Sequence, residues 1–235
     1  MTSLRDARTV EPEMLDILPS GDSAAIASRR DLRRINALMF HTSIMAGLLR
    51  RYVPEPPRRI VEIGCGDGHG TLALARKMAP AWQGVALTLV DQQDLVTDDV
   101  RDELMRLGWS VEIVTADVFD WLRRAEWQDL ALANLFLHHF RQEHLEDLLQ
   151  GLAGLTSNFV ATEPRRSRFA LLASGALGAI GANAVTRHDA PVSVRAGFTR
   201  RELSDLWPGG AENVFCERPI GPFTHAFAAR GANTA

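Results

Sequence analysis

Two cysteines in 235 residues, Cys65 and Cys216, are too few for a disulfide framework. A chain this sparing of them is expected in a reducing, cytoplasmic compartment. Charge of one sign is also missing. Lys+Arg 26 against Asp+Glu 29 gives a formal net charge of -3, without the broad positive field by which proteins hold nucleic acid. No positively charged start runs into an apolar segment, so no signal peptide is read. Long hydrophobic runs are absent too. The longest, Phe169 to Ala182, has 14 residues and contains three glycines, short of the ~20 that cross a bilayer. It reads as a buried helix that also lids an apolar ligand, with a shallow membrane contact as the alternative. No fixed-period repeat or low-complexity tract occurs.

What is present is an ordinary folded composition, 46% apolar and 23% charged, in a length suited to one domain with an appendage. The first twenty residues read as mobile. Leu32, Ile35, Leu38, Met39, Ile44 and Leu48 stand at helical spacings between Ser28 and Tyr52, closed by Pro54, Pro56 and Pro57. From Ile60 a strand and helix rhythm begins: strands at Ile60 to Ile63, Val85 to Val90, Ser110 to Val114, Asp129 to Ala133 and Asn158 to Thr162, with helices at Thr71 to Met78, Asp94 to Leu107 and Gln142 to Leu152. Such alternation means crossover connections and a parallel sheet covered on both faces, an α/β doubly wound fold. After Thr162 the rhythm breaks for the apolar run and a polar stretch, Asn183 to Gly197. It resumes with a helix over Arg200 to Trp207 and two β-like stretches, Asn213 to Cys216 and Phe223 to Ala228, that form an edge hairpin. Six parallel strands and one antiparallel strand result. The chain divides into an N-terminal helical cap, residues 1–57, and a main domain, residues 58–235, with a lid insertion at 163–198.

Chemistry concentrates at Glu62-Ile63-Gly64-Cys65-Gly66-Asp67-Gly68-His69-Gly70, between a strand and a helix, where a ligand meets both the carboxyl end of the sheet and a helix N-terminus. A dinucleotide fingerprint fails here, because its third glycine position falls on His69 or Thr71. A Walker loop fails for want of lysine. The pattern is instead acidic-x-Gly-x-Gly-x-Gly, and the Glu62 carboxylate suits a ligand carrying an ammonium and a sulfonium better than one carrying a pyrophosphate. Asp91 ends the second strand, placed for both hydroxyls of a ribose. Asp117 follows the third, placed for an exocyclic adenine amine with Val118 and Phe119 as apolar contacts. Helix N-capping is the structural alternative for both aspartates.

VEIGCGDGHG, LVDQQ, TADVFD and LANLFLHHF, in that order, resemble the motif series of the class I S-adenosylmethionine-dependent methyltransferases, over Ile60 to Phe140. The resemblance implies a seven-stranded Rossmann-like sheet with an antiparallel last strand and a helical lid. It implies S-adenosyl-L-methionine as cofactor, leaving as S-adenosyl-L-homocysteine. Ribose contact falls on Asp91 with Gln92 beside it, adenine contact on Asp117 and Val118, and the methionine end on Glu62, Gly64, Gly66, Gly68 and Asn134. An RNA acceptor is disfavoured by the charge, the single tyrosine and the lack of an Asn-Pro-Pro-Tyr-type motif.

Methyl transfer needs a nucleophile held in line with the S–CH3 bond and water kept out. A phenol, with a pKa near ~10, gains from a base working near neutrality, and histidine is the natural one. His138 and His139 follow the fourth strand. His188, with Asp189 to orient it, is the rival. His69 reads as structural or near the ligand, and His41, His144 and His225 as surface residues. Arg29, Arg30, Arg33 and Arg34, and Arg165, Arg166 and Arg168, read as solvated faces or as receivers of an acidic substrate or a carrier's phosphopantetheine. Arg187 and Arg195 read as structural or substrate contacts that pair with Asp189. Catechol-type metal sites use carboxylates and an asparagine after the fourth and fifth strands; Ala133-Asn134 and Thr162-Glu163-Pro164 do not match, so no metal is expected. SRRDLRRINALM, EPRRSRFALL and NAVTRHDAPVSVRAGF resemble small bacterial methyltransferases associated with type III polyketide synthases and, more distantly, those of quinone biosynthesis. That implies a small hydroxylated aromatic or polyketide-like acceptor and O-methylation. C-methylation of a quinol-type ring, and a non-catalytic S-adenosylmethionine-binding partner of a biosynthetic complex, stand as alternatives. A homodimer is left open.

Overall fold

The computed structural model describes residues 7–232. Seven strands form one sheet: β1 (Arg59–Ile63), β2 (Ala86–Asp91), β3 (Ser110–Thr115), β4 (Gln128–Asn134), β5 (Thr156–Pro164), β6 (Val214–Ile220) and β7 (Thr224–Arg230), in the order β3-β2-β1-β4-β5-β7-β6. β1 to β5 pair in parallel, and β7 enters antiparallel between β5 and β6, so six strands share one direction as expected. The chain winds outward from β1 to β3 and then returns to the other side of β1 with β4. This reversal opens a crevice at the carboxyl ends of β1 and β4, where ligands bind in open α/β sheets.

Both faces are buried, which the strands record by alternation. In β4, Leu130 and Leu132 face one core with Leu87, Leu89 and Ile60, while Ala131 and Ala133 face the other with Val61, Ile63 and Phe159. The first core is covered by α3 (His41–Tyr52), α4 (His69–Met78) and α5 (Asp98–Arg106), the second by α6 (Val118–Leu122) and α7 (Gln142–Leu155). Leu145, Leu148, Leu149 and Leu152 make the buried stripe of α7, at the i, i+3, i+4, i+7 spacing of an amphipathic helix.

Four expectations need correction. The helix over Ser28 to Tyr52 is two helices, α2 (Ser23–Leu38) and α3, broken where Phe40 takes φ 58. Asp22 caps α2 from a position ahead of the predicted start. The helix expected from Asp94 begins only at Asp98, behind the Thr97 cap, whose hydroxyl accepts from Val100 N. Arg200 to Trp207 is a run of turns rather than a regular helix. The apolar run is not one buried helix. It is α8 (Arg168–Gly175) followed by a 3-10 turn, Leu177–Ile180, with Phe169, Leu172 and Ile180 largely exposed. Three glycines cannot sustain a continuous helix, and every third residue being small leaves no wide apolar stripe to bury. The polar stretch that follows is α9 (Ala184–Ala196), capped by Asn183 and tolerating Pro191 inside it.

Nor are residues 7–20 loose; residues 1–6, also read as mobile, lie outside the described residues. Met14–Ile17 forms a short helix, α1, and the Asp189 carboxylate accepts from Met14 N at 2.8 Å and Leu15 N at 3.0 Å. Arg8 donates to Ala196 O at 2.7 Å and to Phe140 O at 3.1 Å, and stacks 4.1 Å from the Phe198 ring centre. This N-terminal strap ties α9 to the end of β4.

Candidate active site

The glycine loop leaves β1 with Gly64 N and Cys65 N both donating to Val90 O of the neighbouring strand, at 2.8 and 3.2 Å. Gly64 has φ 65, and a side chain there would place its Cβ 2.1 Å from the Phe136 ring. Only glycine fits. Gly66, with φ 55, is the opposite case: its Cβ would meet nothing within 4 Å, so the backbone there lies open to the cavity. Gly68 starts α4 in the left-handed region.

Asp91 is not a helix cap. Its carboxylate accepts from Gly66 N at 2.8 Å and Gln93 N at 2.9 Å, splinting the glycine loop to the end of β2. Burial pushes its carboxyl above the ordinary range, against the pull of those two amides. Asp117 does cap a helix, accepting from Phe119 N and Asp120 N, while remaining on the cavity wall with the buried Val118. Glu62 is buried, accepts from the Thr71 hydroxyl at 2.5 Å, and is pushed up to about 7 by burial, which that hydrogen bond only partly offsets. Asn134 accepts from the Thr162 hydroxyl at 2.7 Å. Burial also pushes the Cys65 thiol well above its usual range, foremost by desolvation and further by Glu62 and Asp91, so it offers no thiolate.

All nine residues expected at the cofactor, except Gly68 just behind the loop, line one cavity of about 910 Å³. Its far wall is apolar: Leu32, Ile35, Met39, Ala173, Leu177 and Phe223. That volume stands at the top of the range for a single ligand site.

The histidines separate sharply. His138 is buried with a carboxylate at each ring nitrogen, Nδ1 bonded to Glu163 Oε2 at 2.8 Å and Nε2 facing Glu13 Oε1 at 3.4 Å. Burial alone would lower its pKa, but the two carboxylates overcome that and hold it cationic, with Glu163 correspondingly lowered. It too lines the cavity, held between Glu13 and Glu163 as a clamp. His188 lies elsewhere: its ring is half exposed, bonds Asp189 at 2.9 Å as expected and is not part of the cavity wall. His139 remains. It lines the cavity, its Nδ1 is 3.0 Å from Asp16 Oδ2, and its ring leans on Phe136. An acid orienting one ring nitrogen leaves the other for substrate.

Several functional positions escaped sequence reading. Glu163 accepts from Phe136 N, Leu137 N and the His138 ring, and so fixes the loop after β4; a Glu-Pro pair at a strand end was the available signal. Leu135, in that loop, holds φ 57, the kind of strain that gathers at sites. Glu13 precedes, and Asp16 lies on, a helix too short to show a period. His41 and His225 are buried rather than on the surface, and His41 lines the cavity, bonded to Thr224. Arg166 pairs with Glu202 at 2.5 Å and is structural. Asp189 serves α1 and His188, not Arg187 or Arg195. Glu13, His138 and His139 offer ligand atoms within 4.8 Å of one another, a metal-like spacing, but Glu163 and Asp16 already answer both imidazoles with charge of the right sign.

Residues 60–158 match the family model described as a methyltransferase domain. The sheet has the class I methyltransferase fold. Solved structures share that fold. The plantazolicin methyltransferase BpumL, in complex with SAH, superposes with a TM-score of 0.63 at 14% identity, over 90% of this chain and 91% of that one. An O-methyltransferase family protein from Burkholderia thailandensis gives 0.55 at 17% identity, over 89% and 58%. Magnesium protoporphyrin IX methyltransferase ChlM from Synechocystis PCC 6803, with bound SAH, gives 0.53 at 11% identity, over 92% and 90%. No curated protein sequence matches the chain. At these identities the likeness is one of fold.

Proposed function

We propose that this methyltransferase O-methylates a small hydroxylated aromatic or polyketide-like acceptor with S-adenosyl-L-methionine. The observation that carries the reading is one cavity with two unlike halves, a glycine loop with carboxylates at one end and an apolar wall with the Asp16–His139 pair at the other. The residues fit the cofactor. Backbone open at Gly66, the Asp91 carboxylate beside it and the buried Glu62 below suit an uncharged sugar and a cationic amino-acid end. The cofactor supplies a methyl group already activated on a sulfonium.

In this reading Asp91 and Gln92 take the ribose, Asp117 and Val118 the adenine, and Glu62, Gly64, Gly66, Gly68 and Asn134 the methionine end. His139 holds the acceptor's hydroxyl and removes its proton, with Asp16 setting the ring. The N-terminal cap and the 163–198 insertion roof the acceptor and exclude water. SAH and SAM in the solved structures of like fold support the cofactor.

Turnover of phenols, quinols and acyl-resorcinols with methyl-labelled S-adenosylmethionine tests this. Label on oxygen is expected, with His139→Ala lowering kcat by about 10²-fold or more and leaving SAH affinity unchanged, while His188→Ala keeps wild-type kcat. Label on ring carbon, with His139→Ala fully active, would establish C-methylation instead. Tight SAH binding without turnover of any acceptor would favour a non-catalytic partner.

A further inference from the structure

We propose that the mouth of the cavity docks on an anionic lipid surface, and that the acceptor carries an alkyl tail drawn from that surface. The second half rests on the proposed function; the docking does not. Leu38 and Ile180 both line the cavity, yet are 69% and 65% exposed, so they form its rim. Phe40, two residues on from Leu38, is 68% exposed, and Leu172 is 75% exposed on the helix whose Ala170 and Ala173 line the same cavity. Phe40 is the telling residue. A bulky aromatic at φ 58 is rare, and here it is held out to solvent with no ring partner among the described residues. Strain of this kind persists where the surroundings use it.

Charge on the two segments that supply the rim is one-sided in a protein whose total is -3. Ser23 to Phe40 and Arg168 to Arg187 contain Arg29, Arg30, Arg33, Arg34, Arg168 and Arg187 against a single acid, Asp31. Asp31 is buried and accepts from Asn183 N at 2.8 Å. Arg33 reaches Asp67, Arg29 reaches the Ser20 carbonyl and Arg34 lies 3.9 Å from Asp31. Arg30, Arg168 and Arg187 are exposed and make no ion pair among the described residues. Exposed apolar side chains on arginine-rich segments are what an interfacial, anionic-lipid-seeking surface presents. No helix among the described residues is long and apolar enough to cross a membrane, so the contact is confined to the interface. An apolar tail would then pass from the bilayer between Leu38 and Ile180 to the wall of Leu32, Ile35 and Leu177, with its head toward His139.

Co-sedimentation with vesicles of phosphatidylcholine, alone or mixed with phosphatidylglycerol, tests the docking without cofactor or turnover. Partitioning onto the mixed vesicles should exceed that onto the neutral ones by about tenfold or more and collapse at high salt. Leu172→Asp, and separately Phe40→Asp, should each lose about tenfold in partitioning with an unchanged melting temperature. Arg30→Glu combined with Arg168→Glu should abolish the preference for the anionic lipid. Equal, weak partitioning onto both vesicles, or retention of binding by Leu172→Asp, overturns the proposal. So does capture by a phosphopantetheine-bearing acyl carrier protein while vesicles are ignored. Vesicle binding without phenol turnover would instead refute the proposed function and leave the docking intact; turnover of short-chain phenols without vesicle binding would do the reverse.

Discussion

Asp91→Asn probes the cofactor half of the cavity most directly. In the folded chain both carboxylate oxygens already accept a backbone N–H, from Gly66 and from Gln93, and each oxygen keeps a lone pair for a ribose hydroxyl. An amide has one oxygen. Its NH2 must therefore face one of two N–H donors, leaving a part-buried amide unpaired at a cost of about 1–3 kcal/mol. The ligand loses one acceptor outright and the charge on the other. With hydrogen bonds to a charged group worth about 1.5–3 kcal/mol, about 3 kcal/mol of affinity should go, which is about a hundredfold in Kd. Isothermal titration with SAH measures this, with the melting temperature of the ligand-free variant reporting the loop's share separately. A Kd within threefold of wild type, in a variant that still folds, would show that the sugar is not held at Asp91.

Gly64→Ala should destabilise the protein by about 3 kcal/mol, combining about 1–2 kcal/mol for a left-handed residue with a Cβ and the cost of displacing the Phe136 ring 2.1 Å away; in a chain this long the melting temperature should fall by about 10 °C. In a Phe136→Ala background only the backbone share should remain, and equal losses in both backgrounds would contradict the clash. Glu62 gives a pH test. Its folded pKa of about 7 stands above the ordinary 4.5, so the native state holds the extra proton and ligand-free stability should decline as pH rises between those values, by about 3 kcal/mol. Glu62→Gln should flatten that slope in urea titrations, and a slope parallel to wild type would refute the assignment. Over the same window, S-adenosylmethionine binding should tighten as the carboxylate ionises to meet the ammonium.

Legibility followed the physics of each signal. Central strands announce themselves as short apolar runs, and even the less buried edge strand β3 is legible from its β-branched residues; β1, β2, β3 and β4 lie within two residues of their expected places. The places of Asp91 and Asp117 on the cavity wall were legible because a strand's carboxyl end fixes where its next side chain points. Helix limits were less so: Thr97 and Phe40 decide them through cap and backbone conformation, not periodicity. The apolar run misled because composition records hydrophobicity and not the direction in which Leu172 and Ile180 point. Among the histidines, sequence sees adjacency, whereas His138 and His139 are divided by their carboxylates, Glu163 and Glu13 for one and Asp16 for the other. Those partners come from 25 and more than 120 residues away, and no local pattern encodes such meetings.

The strap's anchors give the site an order of assembly. Arg8, Met14 and Leu15 leave the ribosome early, but their partners at Ala196 and Asp189 come 188, 175 and 174 residues later. At about 5–20 residues per second, those first-made groups wait about 10–40 s before anything exists for them to hold. The glycine loop can thus be formed well before the cavity is covered. A nascent chain that has it but has not yet emerged through α9 would be able to touch cofactor and unable to shelter it.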